Sequence, residues 1–326
     1  MKSTVLVTGC AGFIGSNLCH WILANTSHDV VGVDDLSGGY EENLPNDNRF
    51  IFVHLNAGDE YLNNVFSIYK PSTCFALHAY AAEGRSNHIR KFIHQNNTLS
   101  MANVINCCVN HECKLVFTSS VAVYSGIPPF DENTPPFPID CYGISKFTTE
   151  MDIQVAGRSQ GLEWCIVRPR NVYGVRQSIF DPSRNLLGIW CYQALNDEPL
   201  TVFGKGTSKR CFTYVEDILE PLYFASFVDN RVVNLGSPVA YCIVDALNVF
   251  REVTGYDNVK FLPPREEVPE ATCRIEVSEE ILGYKHRTDL RDGVSKMWQW
   301  ATALKMRPKQ TPPYLEITKN AHISLL

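Results

Sequence analysis

The chain has 326 residues, 45% hydrophobic and 20% charged, with a formal net charge of −6. That length supports a sizeable core, as one large domain or two joined ones, and the composition excludes fibrous and disordered classes. A mildly acidic chain has no global attraction for nucleic acid or anionic lipid, so an anionic ligand must be held by a local site. No apolar run approaches the ~20 residues of a membrane helix. The opening Thr4 to Thr8 run is too short for a signal core and is closed by glycines, so the expectation is a soluble, cytoplasmic protein. Twelve cysteines spread over such a chain read as free thiols. Their one cluster, Cys107, Cys108, His111 and Cys113, reads as a buried helix end because adjacent cysteines on a helix point apart; no metal is expected.

Apolar runs at Val5 to Thr8, Val30 to Asp34, Phe50 to Val53, Cys74 to Leu77, Leu115 to Ser119 and Trp164 to Arg168 predict strands. Helices are expected between them near 13–25, 59–69, 87–109 and 142–160. Apolar, non-alternating strands separated by helices imply an α/β fold, a doubly wound parallel sheet covered on both faces. After Arg168 the rhythm breaks into Pro-, Gly- and aromatic-rich segments. Residues 1–168 are therefore expected to form the first domain and 169–326 mainly a smaller α/β lobe, with segments near 205–235 returning to the first. The tail from Arg307, with Pro308, Pro312 and Pro313, is expected to be extended or partly disordered.

Thr8-Gly9-Cys10-Ala11-Gly12-Phe13-Ile14-Gly15 follows the first strand and opens a helix. Gly9 permits the tight turn, Gly12 lets backbone approach a pyrophosphate, and Gly15 allows close packing. The helix then offers free N–H groups to the phosphates. Asp34 ends the second strand about 20 residues on, where a carboxylate accepts from the adenosine ribose. It repels a 2′-phosphate, and Asp34-Asp35-Leu36-Ser37 offers no Lys or Arg to hold one, so NAD is expected over NADP.

Tyr142 and Lys146 stand four apart, on one face of a helix. A fixed cation beside a phenol stabilises the phenolate and lowers its pKa. Ser120 closes the fifth strand in Phe117-Thr-Ser-Ser-Val-Ala-Val-Tyr124. Together with the glycine loop and Asp34, these residues resemble the extended short-chain dehydrogenase/reductase family over nearly the whole chain. The resemblance is closest to the nucleotide-sugar 4-epimerases of the UDP-galactose type and their epimerase/dehydratase relatives.

That resemblance implies a Rossmann-type NAD-binding domain and a UDP-sugar substrate, with Tyr142 as acid/base, Lys146 as its tuner and Ser120 as hydrogen-bonding partner at O4. The cofactor set it implies adds Phe13, Ile14, Asp35, Ser37, Gly38, Asn56, Ala57, Leu77, His78, Ala79 and Asn97. At the substrate end it implies Asn171, Asn185, the diphosphate-clamping pair Arg210 and Arg265, and Thr272, whose small side chain leaves volume for an N-acetyl group. Arg176 is a candidate partner for a uronate. It further implies a homodimer through a four-helix interface of the 87–109 and 142–160 helices.

Three features depart from the family pattern or discriminate within it. Asn56 stands where the family has an adenine-contacting Asp. Ala76-Leu77-His78-Ala79 either puts a histidine beside the cofactor or shifts the register by two; a hydrogen-bonded structural His78 is expected. Dehydratases carry an Asp-Glu pair after the catalytic Ser or Thr, decarboxylases a Glu and 3,5-epimerases a Cys, whereas Val121-Ala122 can do none of those proton transfers. A 4-epimerase acting through a transient 4-keto sugar remains. The alternatives are another nucleotide-sugar dehydratase or reductase, or an NAD-binding sensor without turnover.

Overall fold

The computed structural model describes residues 3–264 and 270–322. Six strands come in sequence order: β1 (Thr4–Thr8), β2 (Asp29–Asp34), β3 (Phe50–His54), β4 (Thr73–Ala76), β5 (Lys114–Thr118) and β6 (Trp164–Pro169). Their spatial order is β3-β2-β1-β4-β5-β6, with Arg231–Leu235 as a seventh strand beside β6, and every pairing is parallel. Strand order therefore reverses between β1 and β4, which opens a crevice at their carboxyl ends.

Both faces of the sheet are buried, which explains the continuous apolar runs. Val5 and Val7 face one core with Leu18, Ile22 and Val167, while Leu6 faces another with Phe66, Val104, Phe117 and Ile153. Each fully buried side chain of this kind contributes about 1.5–3 kcal/mol. The covering helices include α1 (Phe13–Asn25) and α2 (Leu62–Tyr69).

The helix expected at 87–109 is in pieces: α3 (Glu83–Ser86), α4 (Arg90–Ile93), a π-helical stretch at His94–Leu99, then α5 (Ser100–Asn110). A single unbroken helix, α6, spans Cys141–Gln160.

A third core, around Tyr173, Trp190, Phe212, Phe250 and Met297, holds the C-terminal lobe, with α7 (Leu186–Leu195) on the cleft side. After the helix Leu290–Thr302 the described residues, 303–322, have no helix or strand, but they are tied down at several points rather than loose. The twelve cysteines are free thiols. Cys107, Cys108 and Cys113 lie in the core, and His111 bonds Asn63 Oδ1 at 2.9 Å. Among the described residues no helix is long and apolar enough to cross a membrane.

Candidate active site

The crevice is a cleft of about 2230 Å³, larger than the roughly 300–1,000 Å³ of a pocket for one small ligand. Its floor is the glycine loop. Gly9 has φ +72°, and a Cβ there would stand 2.8 Å from the His78 backbone; one on Gly15 would stand 2.0 Å from Gly9 O. α1 starts at Gly12 with no side-chain cap and no acid in its first turn. Its first N–H groups are thus left for an anion.

Asp34 braces this loop, accepting from Ala11 N at 2.9 Å and Leu36 N at 2.8 Å, and burial pushes its carboxyl up. Asp35 accepts from Ser37 and, at 2.6 Å, from Asn56 Nδ2. Burial pushes Asp35 up too, but those hydrogen bonds outweigh it and hold it below the usual range. The carboxylate missing at Asn56 thus stands across from it at Asp35.

Phe13, Ile14, Ser37, Gly38, Ala57, Leu77 and Ala79 also line the cleft. His78 lines it with its ring held between Thr8 Oγ1 (2.7 Å) and Ser100 Oγ (2.9 Å). Burial, then the nearby Lys146, lowers its pKa to about 3, so the ring is neutral and spends both nitrogens on those hydroxyls. Asn97 is not on the cleft wall. Its amide is committed to the Tyr80 backbone and to Ser145, and Asn96 lines the cleft instead. The extra residue per turn in the π-helical stretch changes which side chain faces inward.

The catalytic end is built by backbone contact. Ser120, extended at the end of β5, accepts from Ala122 N at 3.1 Å and caps the short turn Val121–Val123. Asp140 caps α6 through Gly143 N at 2.7 Å, which puts Tyr142 in the first turn and Lys146 one turn on. A Cβ on Gly143 would lie 2.3 Å from Ala122 O, so only glycine lets α6 approach the turn that carries Ser120. The Ser120 hydroxyl lies beside the Tyr142 phenol and pulls its pKa down, against the effect of burial.

The expected lowering of the Tyr142 pKa is not found. Burial is the largest influence and Glu83 the next, and both push the phenol above its ordinary value. Lys146 stands 6.0 Å from the Tyr142 ring centre and donates to Thr118 O at 2.8 Å. Burial lowers Lys146 to about 7, partly opposed by Glu150. Desolvation therefore sets the direction of the shift on the phenol. Beneath the lysine, Glu150 is held by Arg168, which also donates to Tyr124 OH.

Substrate-side expectations fare unevenly. Asn171, in a left-handed conformation (φ +36°), Asn185 and Arg210 line the cleft. Asn185 caps α7 and bonds Val172 O at 2.6 Å and Gln177 Nε2 at 2.6 Å. Arg265 lies outside the described residues. Thr272 does not line the cleft: strand alternation puts its neighbour Ala271 there and turns Thr272 to Glu270. Arg176 lines the cleft, with its guanidinium donating to Asn17 Oδ1 on α1 at 2.9 Å.

Sequence reasoning missed Glu83 and Arg184. Arg184 pairs with Asp181 at 3.0 Å and stacks 4.5 Å over the Tyr80 ring. Neither carries a motif, although Arg184 directly precedes Asn185.

A doubly wound sheet with an uncapped glycine turn at its switch point, facing a Ser-Tyr-Lys set, defines a dinucleotide-dependent enzyme of the short-chain dehydrogenase/reductase class. The family model described as NAD dependent epimerase/dehydratase matches residues 5–236, and the chain belongs to that family, with NAD as its cofactor. A UDP-glucose 4-epimerase from Mycolicibacterium smegmatis is 29% identical over 304 residues, 89% of this chain and 96% of its own. UDP-glucuronic acid decarboxylase 6 from Arabidopsis thaliana is 27% identical over 310 residues, covering 90% and 87%. The structure of a Thermus thermophilus UDP-glucose 4-epimerase in complex with NAD superposes with a TM-score of 0.86 at 27% identity, over 92% of this chain and 99% of that one.

The residues present fit NAD. The free N–H groups of α1 suit its diphosphate, Asp34 and Asp35 suit an unphosphorylated ribose, and the buried Ser119 hydroxyl on the cleft wall has no protein partner.

Proposed function

We propose that the chain is a UDP-sugar 4-epimerase. The observation that carries this reading is the Ser120–Tyr142 pair packed against a turn whose next two side chains, Val121 and Ala122, have no acid or base. Tyr142, in its phenolate form, accepts the sugar O4 proton, with Ser120 bonded to the same oxygen, and later returns it. Lys146, whose pKa of about 7 leaves it partly protonated at neutral pH, is placed to orient cofactor and phenol through its link to Thr118 O. NAD, held at the glycine loop, would supply the acceptor and donor for the C4 hydride. Val121 and Ala122 offer no acid or base for the elimination that a dehydratase performs from those positions, so the sugar is released inverted at C4 and no cofactor is consumed.

Two observations favour a neutral sugar over a uronate. Glu83 lines the catalytic end, and Arg184 is already paired with Asp181. Ala271 on the wall leaves room for an N-acetyl group.

In the same reading the chain works as a homodimer. Ile144, Met151 and Val155 are exposed on α6 at spacings that share one helical face, as a helix-pairing interface requires. Sedimentation at monomer mass at micromolar concentration would contradict it.

The test is NMR of UDP-glucose, UDP-N-acetylglucosamine and UDP-glucuronate incubated with NAD-loaded protein. C4 inversion without net NADH is expected, falling by about 10³-fold in Tyr142→Phe. Carbon dioxide from the uronate, or a 4-keto-6-deoxy product, would overturn the reading.

A further inference from the structure

The chain beyond Thr302 crosses the cleft twice. From the C-terminal lobe it bonds Phe180 O through Gln310 N at 2.8 Å. It then reaches the opposite wall, where Arg85, itself buried, donates to Pro313 O through Nε (3.0 Å) and Nη2 (2.6 Å). The Glu316 carboxylate accepts from Lys91 N (2.9 Å) and Phe92 N (3.0 Å), and Glu316 N donates to His88 O at 2.9 Å. Leu315 packs on Tyr80, Ile89, Ile93 and Cys141, the last being the neighbour of Tyr142. The segment returns to the lobe, where the His322 ring meets Phe203 edge-on at 5.5 Å. Along this path Gln310, Pro313, Leu315, Thr318 and His322 all line the cleft.

Such a path is costly unless it serves the cleft, since an extended terminus gains nothing from ordering by itself.

We propose that residues 307–322 are a strap that closes the substrate half of the cleft and must be released for each exchange of nucleotide sugar. The proposal rests on the reading that a nucleotide sugar occupies that half. With Leu315 fastened beside Cys141 and His322 beside Phe203, the strap roofs the cleft from the acid/base toward its far end. Entry and departure then require the Arg85 and Glu316 contacts to break, while proton transfer beneath does not. The strap should thus govern the rates of binding and release, the usual role of a lid.

The experiment compares the NAD-loaded full chain with a chain ending at Leu304, using UDP as the probe in stopped-flow binding. UDP association and dissociation should both be about tenfold faster without the strap, with NAD content unchanged. Glu316→Ala keeps the chain intact and removes two contacts; it should speed both rates about threefold, and it stands alone if the shortened chain does not fold. Rates within twofold of the full chain in Glu316→Ala and in any folded shortened chain would overturn the strap and leave the epimerase reading standing. Failure of both the full chain and Glu316→Ala to bind UDP would overturn the nucleotide-sugar reading, and the strap's role with it.

Discussion

The two halves of the cleft are made in opposite ways. The cofactor half comes from contiguous turns after β1 and β2, and its shape is set by backbone: glycines with no room for a Cβ, and carboxylates spent on N–H groups. The half proposed for the substrate is assembled from side chains at 83, 120, 142, 171, 184 and 210 and from the tail. A backbone-built site fails by steric clash, whereas a side-chain-built site fails by degrees, and it is the half free to change specificity.

Substitutions can break or sharpen that contrast. The largest effect is expected at the seam, in Lys146→Met. The ordinary lysine value of 10.5 falls to about 7 in the fold, so at pH values between the two the unfolded chain holds a proton that the folded chain does not. The burial penalty is therefore full below about pH 7 and is relieved as pH rises toward 10.5. Ligand-free Lys146→Met should be several kcal/mol more stable than the parent at pH 6–7, with the difference shrinking toward pH 10; denaturant titrations across pH would read it. A constant difference would refute the assignment.

Gly15→Ala comes next. Its methyl group would meet Gly9 O, costing about 1–3 kcal/mol as an overpacked site, and the purified protein should carry little NAD. Retention of NAD at the parent's level would show that the floor of the cleft is softer than described. Gly143→Ala should leave NAD bound but lower turnover about 100-fold, the scale of an ångström's displacement of a reacting group. Equal turnover would mean that α6 does not need its contact with Ala122. The smallest effect is expected from Arg210→Ala, whose loss of a charge-assisted contact should raise KM about tenfold with kcat nearly unchanged. A fall in kcat alone would move Arg210 from binding into the chemistry.

The same contrast explains what could be read in advance. The parallel sheet was legible because strands buried on both faces leave continuous apolar runs, and the helix at Phe13–Asn25 was found to the residue because glycine and periodicity mark it. Glycine-loop positions are spaced along one short segment, so counting residues finds them. Counting fails where the chain changes phase. The π-helical stretch at His94–Leu99 turned Asn97 off the cleft, and strand alternation put Ala271 rather than Thr272 on the wall. It also fails where the environment decides: the Tyr142–Lys146 spacing is as read, but burial reverses the sign of the effect on the phenol. Glu83, Arg184 and the strap join the site only through tertiary contact, which no local pattern records.

The meeting of Gly143 with Ala122 O has a consequence for how such enzymes diverge. Two stretches of main chain touch there, so the separation of the backbone positions that carry the Ser120 and Tyr142 hydroxyls is built into the frame. The side chains at 121 and 122 hang from the same turn, Val121 packing against the cluster of Val123, Tyr124, Phe130 and Cys273. New proton-transfer groups can be tried at those two positions while the hydroxyls stay in register, so a change of reaction type need not pass through a loss of the first step.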